Sequence, residues 1–370
     1  MTIPASIPLF DPRTPVLPLR PQIDAAVARV LDSGAFVLGP EVDAFEAAFG
    51  EMLGVEHAIG VANGTEAITI ALRALGVGPG DEVIVPSFTF YASAEAIPPT
   101  GATPVFCDVD PGTRCVTAET VKAVMTPRTK AVIAVHLFGN AAPVAEIEAL
   151  GVPVLEDAAQ ATGALGPRAD GTPAQVGTIG TIGTFSFYPS KNLGAFGDGG
   201  AIVTNDAAIA DQVRLLRFHG SRAKDTYLEV GYNSRLDGIQ AAILGVLLPH
   251  VPAWVNHRRA AAERYRAAGL GELVGLPVDG AGSRPAWNLM VVTHPEADRL
   301  VAGLAEQGIG ARDYYREPVH LQPAMAPWAA DVAPLPGTDL LAAQHLALPM
   351  SAAITDEQID RVVEAIRDVL

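Results

Sequence analysis

Lysine is scarce in this chain of 370 residues: Lys122, Lys130, Lys191 and Lys224 are all there are. Cysteine is scarcer, with only Cys107 and Cys115, which excludes a disulfide-built scaffold and points to a reducing compartment. Runs of basic residues are absent, and Asp and Glu outnumber Lys and Arg by 41 to 25, a net charge of -16. That field repels a phosphate polymer, so no nucleic acid is expected as a partner. No apolar stretch reaches membrane-spanning length without Gly, Pro or charge, so no membrane is expected either. The N-terminus, Met1 to Pro4, lacks a basic segment followed by an apolar one, so no signal peptide is expected and the cytoplasm is the compartment that fits. The eight histidines show no zinc-ligand spacing, so no metal is expected. There is no nucleophile-elbow serine, and the Gly-rich stretch 194–200 follows no first-strand dinucleotide fingerprint.

What is present is a globular composition, 49% hydrophobic and 18% charged, in a chain long enough for two domains. Residues 1–19 are rich in Pro and read as an extended arm. Ile23, Val27, Val30 and Leu31 recur at helical spacing up to Gly34, and Pro40 opens a second helix. Short apolar strands then alternate with helical segments: 58–62, 82–85, 105–109, 131–135 and 152–155. This rhythm predicts an α/β domain over 20–248, with a mostly parallel sheet covered by helices. Beyond about residue 248 it weakens, and 249–370 reads as a smaller α+β domain. Its last helix opens on a capping box, Thr355-Asp356-Glu357-Gln358.

Three places carry chemistry. Lys191 follows the strand-like run Thr184 to Tyr188 and precedes Gly194 and Gly197-Asp198-Gly199-Gly200. An amine at the end of a buried strand loses solvation, its pKa falls and it becomes a nucleophile; a surface-loop lysine is the plainer alternative. Asp157, in Glu156-Asp157-Ala158-Ala159-Gln160, stands at the carboxyl end of a strand, where open α/β sheets bind ligands. It suits a protonated ring nitrogen or a helix N-cap. Asn63-Gly64-Thr65-Glu66 joins a strand to a helix, which fits an anion site at free amides or an ordinary turn capped by Thr65.

Taken in order, these segments resemble the DegT/DnrJ/EryC1/StrS family of sugar-nucleotide aminotransferases. The resemblance runs through Gly39-Pro40-Glu41-Val42, Asn63-Gly64-Thr65, Gly80 to Ser87 with Thr89-Phe90, and Glu156 to Gln160. It continues through Phe185-Ser186-Phe187 with Lys191, Gly197 to Gly200, and Gly231-Tyr232-Asn233-Ser234-Arg235-Leu236 before Gln240. It implies the aspartate-aminotransferase fold, pyridoxal 5'-phosphate as cofactor with a pyridoxamine 5'-phosphate form, and ping-pong transfer. The amino group would pass from an amino acid, glutamate by family analogy, to a keto-sugar on a nucleoside diphosphate.

The resemblance also implies roles. Lys191 would hold the cofactor as a Schiff base and later carry the proton; Asp157 would keep the pyridine nitrogen protonated. Gln160 would bond the phenolic oxygen, and Phe90 would stack on the ring. Gly64, Thr65, Glu66 and Ser186 would hold the phosphate, with Asn233 reaching it from the neighbouring subunit of a homodimer. On the substrate side stand Tyr188, Arg235, Tyr314, Arg316 and His320, with Lys224 as a further donor to the diphosphate. Asp198 replaces a common Glu, Ser283 to Asn288 lacks the expected histidine, and Tyr314 to Pro318 matches the substrate loop loosely. Relatives that dehydrate replace the lysine with histidine, so Lys191 favours transfer over a lyase. The run Asn233 to Asp237 is more similar to relatives acting at C3 than at C4. A regulatory protein built on this fold is the non-catalytic rival, disfavoured by the intact lysine, aspartate and glutamine.

Overall fold

A computed structural model describes residues 6–223 and 225–370. Seven strands form the main sheet: β1 (His57–Val61), β2 (Glu82–Pro86), β3 (Thr103–Cys107), β4 (Thr129–Val135), β5 (Val154–Asp157), β6 (Ile182–Ser186) and β7 (Gly200–Thr204). Their order is β1-β7-β6-β5-β4-β2-β3. All neighbours pair in parallel except β7, which runs antiparallel between β1 and β6. β2, β5 and β7 are buried along their whole length, as strands covered on both faces must be. The expectation of a mostly parallel α/β sheet therefore holds, and β7 adds an antiparallel strand inside it.

Helices α1 (Arg20–Ser33) and α2 (Pro40–Leu53) form where their apolar spacing predicts. Gly34 ends α1 in the left-handed conformation at φ 69°. α3 (Gly64–Ala74) starts straight after β1, capped by the side chain of Asn63 rather than by Thr65. The helical run Gly238–Ala267 is 30 residues long and apolar. It is broken by a 3-10 turn at Leu248–His250, and its apolar side, including Leu244, Leu247, Val251 and Val255, lies in the core.

Residues from Ala261 to Ile366 share a separate core cluster around the antiparallel pair Met290–Thr293 and His345–Leu348. The last helix, Asp356–Val369, carries the expected reciprocal cap between Thr355 and Gln358. The N-terminal segment departs from the extended expectation. Ile7 bridges to Ile309, and Thr14–Leu19 turns as a 3-10 helix, for which Pro15 and Pro18 already hold the required φ.

Candidate active site

The parallel strands bring their carboxyl ends to one edge of the sheet, and a cavity of about 440 Å³ opens there. Five strand ends contribute to its lining: Gly64 and Thr65 after β1, Thr89, Phe90 and Ser93 after β2, Val135 from β4, Asp157 and Gln160 from and after β5, Ser186 and Lys191 from and after β6. The size suits a small-molecule ligand.

Side-chain alternation decides what faces the cavity. At the end of β6, Phe185 and, just beyond the strand, Phe187 point away from it, into an aromatic cluster with Phe45 and Phe49 at centroid distances of 5.1 to 5.4 Å. Ser186, between them, is left facing the ligand side. On β5 the neighbouring carboxylates separate in the same way. Glu156 turns from the cavity and accepts the amides of Gly177 (2.6 Å), Ile179 (2.7 Å) and Gly180 (2.6 Å), and pairs with His136 at 2.8 Å. Asp157 turns toward the cavity, only 5% exposed. Its Oδ1 accepts the Ala159 amide at 3.1 Å and its Oδ2 accepts the Ser93 hydroxyl at 2.7 Å. No helix follows it, so the N-cap alternative falls.

Lys191 lines the cavity, and burial lowers its pKa to about 8, with the Asp157 charge pulling the other way. Gln160 accepts the Phe138 amide at 2.7 Å and donates to the Tyr315 hydroxyl at 3.0 Å. Burial raises the Tyr315 phenol above its ordinary range, so that it stays protonated. At the start of α3 the amides of Gly64 and Thr65 have no partner among the described residues. A side chain at Gly64 would put its Cβ 2.8 Å from that of Ser186. One at Gly200 would lie 2.6 Å from the Asn63 carbonyl, so the two glycines let the turn and β7 close on each other. These features fit a phosphorylated pyridine aldehyde: a nucleophilic amine, a buried carboxylate for a ring nitrogen, and a narrow anion cradle at a helix N-terminus.

Other expected residues fall elsewhere. The Glu66 amide is spent on Asn63 at 2.9 Å, so it does not join the cradle. Phe90 is no core aromatic: it is 52% exposed at the cavity rim, 5.8 Å from the Tyr315 ring. Tyr188 and Tyr314 line the cavity; Arg235, Arg316, His320 and Asn233 do not. Arg316 is held by Asp298 and Asp313, and His320 bonds Ser87. Arg235 bonds Asn233 and lies 5.4 Å over the Phe218 ring. Lys224 is outside the described residues. Sequence reasoning missed Thr89, Ser93, Asp198, Asn288 and Tyr315 as cavity residues. Thr89 lay inside the Thr89-Phe90 match, and Ser93 follows it by one helical turn.

Comparison with known proteins agrees with this geometry. The profile of the DegT/DnrJ/EryC1/StrS aminotransferase family matches residues 19–367. The dTDP-3-amino-3,4,6-trideoxy-alpha-D-glucose transaminase of Streptomyces venezuelae is 43% identical over 368 residues, 98% of this chain and 96% of that protein. The UDP-N-acetyl-3-dehydro-alpha-D-glucosamine 3-aminotransferase of Acidithiobacillus ferrooxidans is 43% identical over 374 residues, the whole of both chains. The crystal structure of S. venezuelae DesV in complex with a ketimine intermediate superposes with a TM-score of 0.92 at 42% identity, covering 98% of both chains.

Proposed function

The chain belongs to the DegT/DnrJ/EryC1/StrS aminotransferase family, and on that premise we propose that it moves an amino group from L-glutamate to a 3-keto hexose carried on a nucleoside diphosphate. It is a pyridoxal-phosphate-dependent aminotransferase of the type I fold, among relatives that act on nucleotide-linked sugars. The observation that carries the reading is that Lys191 and Asp157 share one cavity with Ser186 and the N-terminus of α3.

When bound, pyridoxal phosphate supplies an electron sink that makes the substrate carbon acidic. The protein's own groups do the rest. Lys191, with its pKa near 8, both accepts and releases a proton at Nζ close to neutral pH. Asp157, fixed at both oxygens, holds a ring nitrogen in its protonated form. Gly64, Thr65 and Ser186 hold the phosphate, Gln160 lends its amide to the phenolic oxygen, and Phe90 covers the ring. Tyr188 and Tyr314 orient the sugar.

The chain works as a homodimer in this reading, with Asn233 and Arg235 completing the partner's cavity. Leu31 and Phe196, 57% and 52% exposed, line one surface groove beside α1, an apolar face of the kind a second subunit covers. The reading divides the chain into an arm to residue 19, a large domain to 248 and a small domain to 370. Two free, buried thiols suit the cytoplasm.

The position of amination rests on the Asn233 to Asp237 run and on two relatives named for 3-amino chemistry. Purified protein should be yellow and bleach with borohydride, and Lys191→Ala should be colourless; equal colour in both overturns the cofactor assignment. The pyridoxamine form, mixed with 3-keto and 4-keto sugar nucleotides, should lose its absorbance faster with the former. Turnover of 4-keto substrates alone overturns the regiochemistry.

A further inference from the structure

Asp157 does not stand alone. Ser93 Oγ donates to its Oδ2 at 2.7 Å, and Thr89 Oγ1 lies 3.1 Å from Ser93 Oγ. Thr89 and Ser93 are each 1% exposed and both border the cofactor cavity. Ser93 has one hydroxyl proton, and a carboxylate can only accept, so that proton points to Asp157. The Ser93 oxygen is then left to accept from Thr89. The two hydroxyls form a chain aligned on one carboxylate oxygen, in which each bond polarises the next. The segment that carries them, Thr89 to Ala96, follows the carboxyl end of β2, two strands away from Asp157 across β4. Nothing in β5 itself restrains Oδ2: its own backbone reaches only Oδ1, through the Ala159 amide at 3.1 Å.

We propose that Thr89 and Ser93 are positioning residues for the transamination, a hydroxyl relay that fixes the rotamer of Asp157 and holds it as an anion toward the ring nitrogen. Neither hydroxyl touches substrate in this role; both act through the carboxylate. The proposal rests on the cofactor reading above.

Apo-protein reconstituted with pyridoxal phosphate tests it through three readouts: cofactor affinity, the pH midpoint of the chromophore and the thermal midpoint of the apo-protein. Ser93→Ala removes a hydrogen bond to a charged group, and the expected loss in cofactor affinity is about tenfold. A carboxylate held less firmly stabilises a ring cation less, so the Lys191 nitrogen gains basicity and the pH midpoint moves up. The near-isosteric Thr89→Val should give a smaller loss, about threefold, in the same direction. Thr89→Ser should restore both values.

Wild-type affinity and midpoint in Ser93→Ala and Thr89→Val overturn the relay, even where the apo-protein melts at lower temperature. Should Ser93→Ala fail to fold, Thr89→Val and its serine rescue carry the decision. A wild-type protein that takes up no cofactor defeats the functional reading, and the relay with it. A wild type that takes it up while the variants match it defeats the relay alone.

Discussion

The sharpest consequence of the site is the pH at which the apo-protein captures its cofactor. Capture needs the neutral amine of Lys191, whose pKa burial lowers to about 8. At pH 7 about one Lys191 in 11 is neutral, against about one in 3,000 for an ordinary lysine, a gain of about 300-fold in reactive amine. The cofactor's own phosphate titrates near pH 6, below the range from pH 7 to 10, and a parallel run with a small free amine corrects for titration of the ring nitrogen. Stopped-flow absorbance after mixing apo-protein with pyridoxal phosphate gives the rate. Its logarithm should rise with unit slope to about pH 8 and then flatten. The sign of the Asp157 effect is also fixed: its negative charge favours the ammonium and raises the pKa that burial lowers. Asp157→Asn should therefore move the break to lower pH. A rate that climbs with unit slope to pH 10, or a break that moves up in Asp157→Asn, refutes this account of the amine.

Other perturbations divide the site into parts. Gly64→Ala puts a methyl 2.8 Å from the Ser186 Cβ, so the cradle must open; cofactor affinity measured by absorbance titration should fall at least about tenfold. Glu156→Gln removes a fully buried charge from three amides and His136. Urea unfolding should show a loss of about 3 kcal/mol while the absorbance maximum of surviving holoenzyme is unchanged. Arg316→Ala frees Asp298 and Asp313 outside the cavity, so the Michaelis constant for the sugar nucleotide should stay within twofold of wild type. Mixing inactive Lys191→Ala with a weak Asn233→Ala variant, then unfolding and refolding together, should restore activity through hybrids with one complete site. No gain above the Asn233→Ala parent's own rate would confine Asn233 to its own subunit.

The fold was legible wherever periodicity and burial coincide. Strands 82–85 and 131–135 lie inside β2 and β4, α1 ends at its Gly34 signal and α2 begins at its Pro40 signal. The site was legible where it sits at strand ends, because those positions can be read from the strand itself. Glu156 and Asp157 mark the limit. Two adjacent carboxylates at a strand end must face opposite sides, but only the tertiary fold shows which side holds the ligand. Long-range contacts were out of reach: Ser93 finds Asp157 across 64 residues, and His320 finds Ser87 across 233. Arg316 is a different failure. Asp313, one helical turn earlier in sequence, was already visible as a local partner that would consume its charge.

Charge accounting then separates the two arginines that sequence treated alike. The cavity is lined by one cationic side chain among the described residues, Lys191, together with the carboxylates of Asp157 and Asp198. A helix N-terminus contributes the equivalent of about half a positive charge. A cofactor phosphate and a sugar diphosphate together bring several negative charges into a chain whose net charge is -16, so one subunit alone leaves them uncompensated. Arg316 cannot supply the balance, since two aspartates already neutralise it. Arg235 has no carboxylate within ion-pair distance among the described residues; it leans on the Asn233 amide and the Phe218 ring. Its charge remains available, and it sits beside the residue proposed to cross between subunits. The missing positive charge thus points to the loop that carries Asn233 and Arg235, which does not line the cavity of its own chain, and in the homodimer proposed above that loop serves the cavity of the other chain.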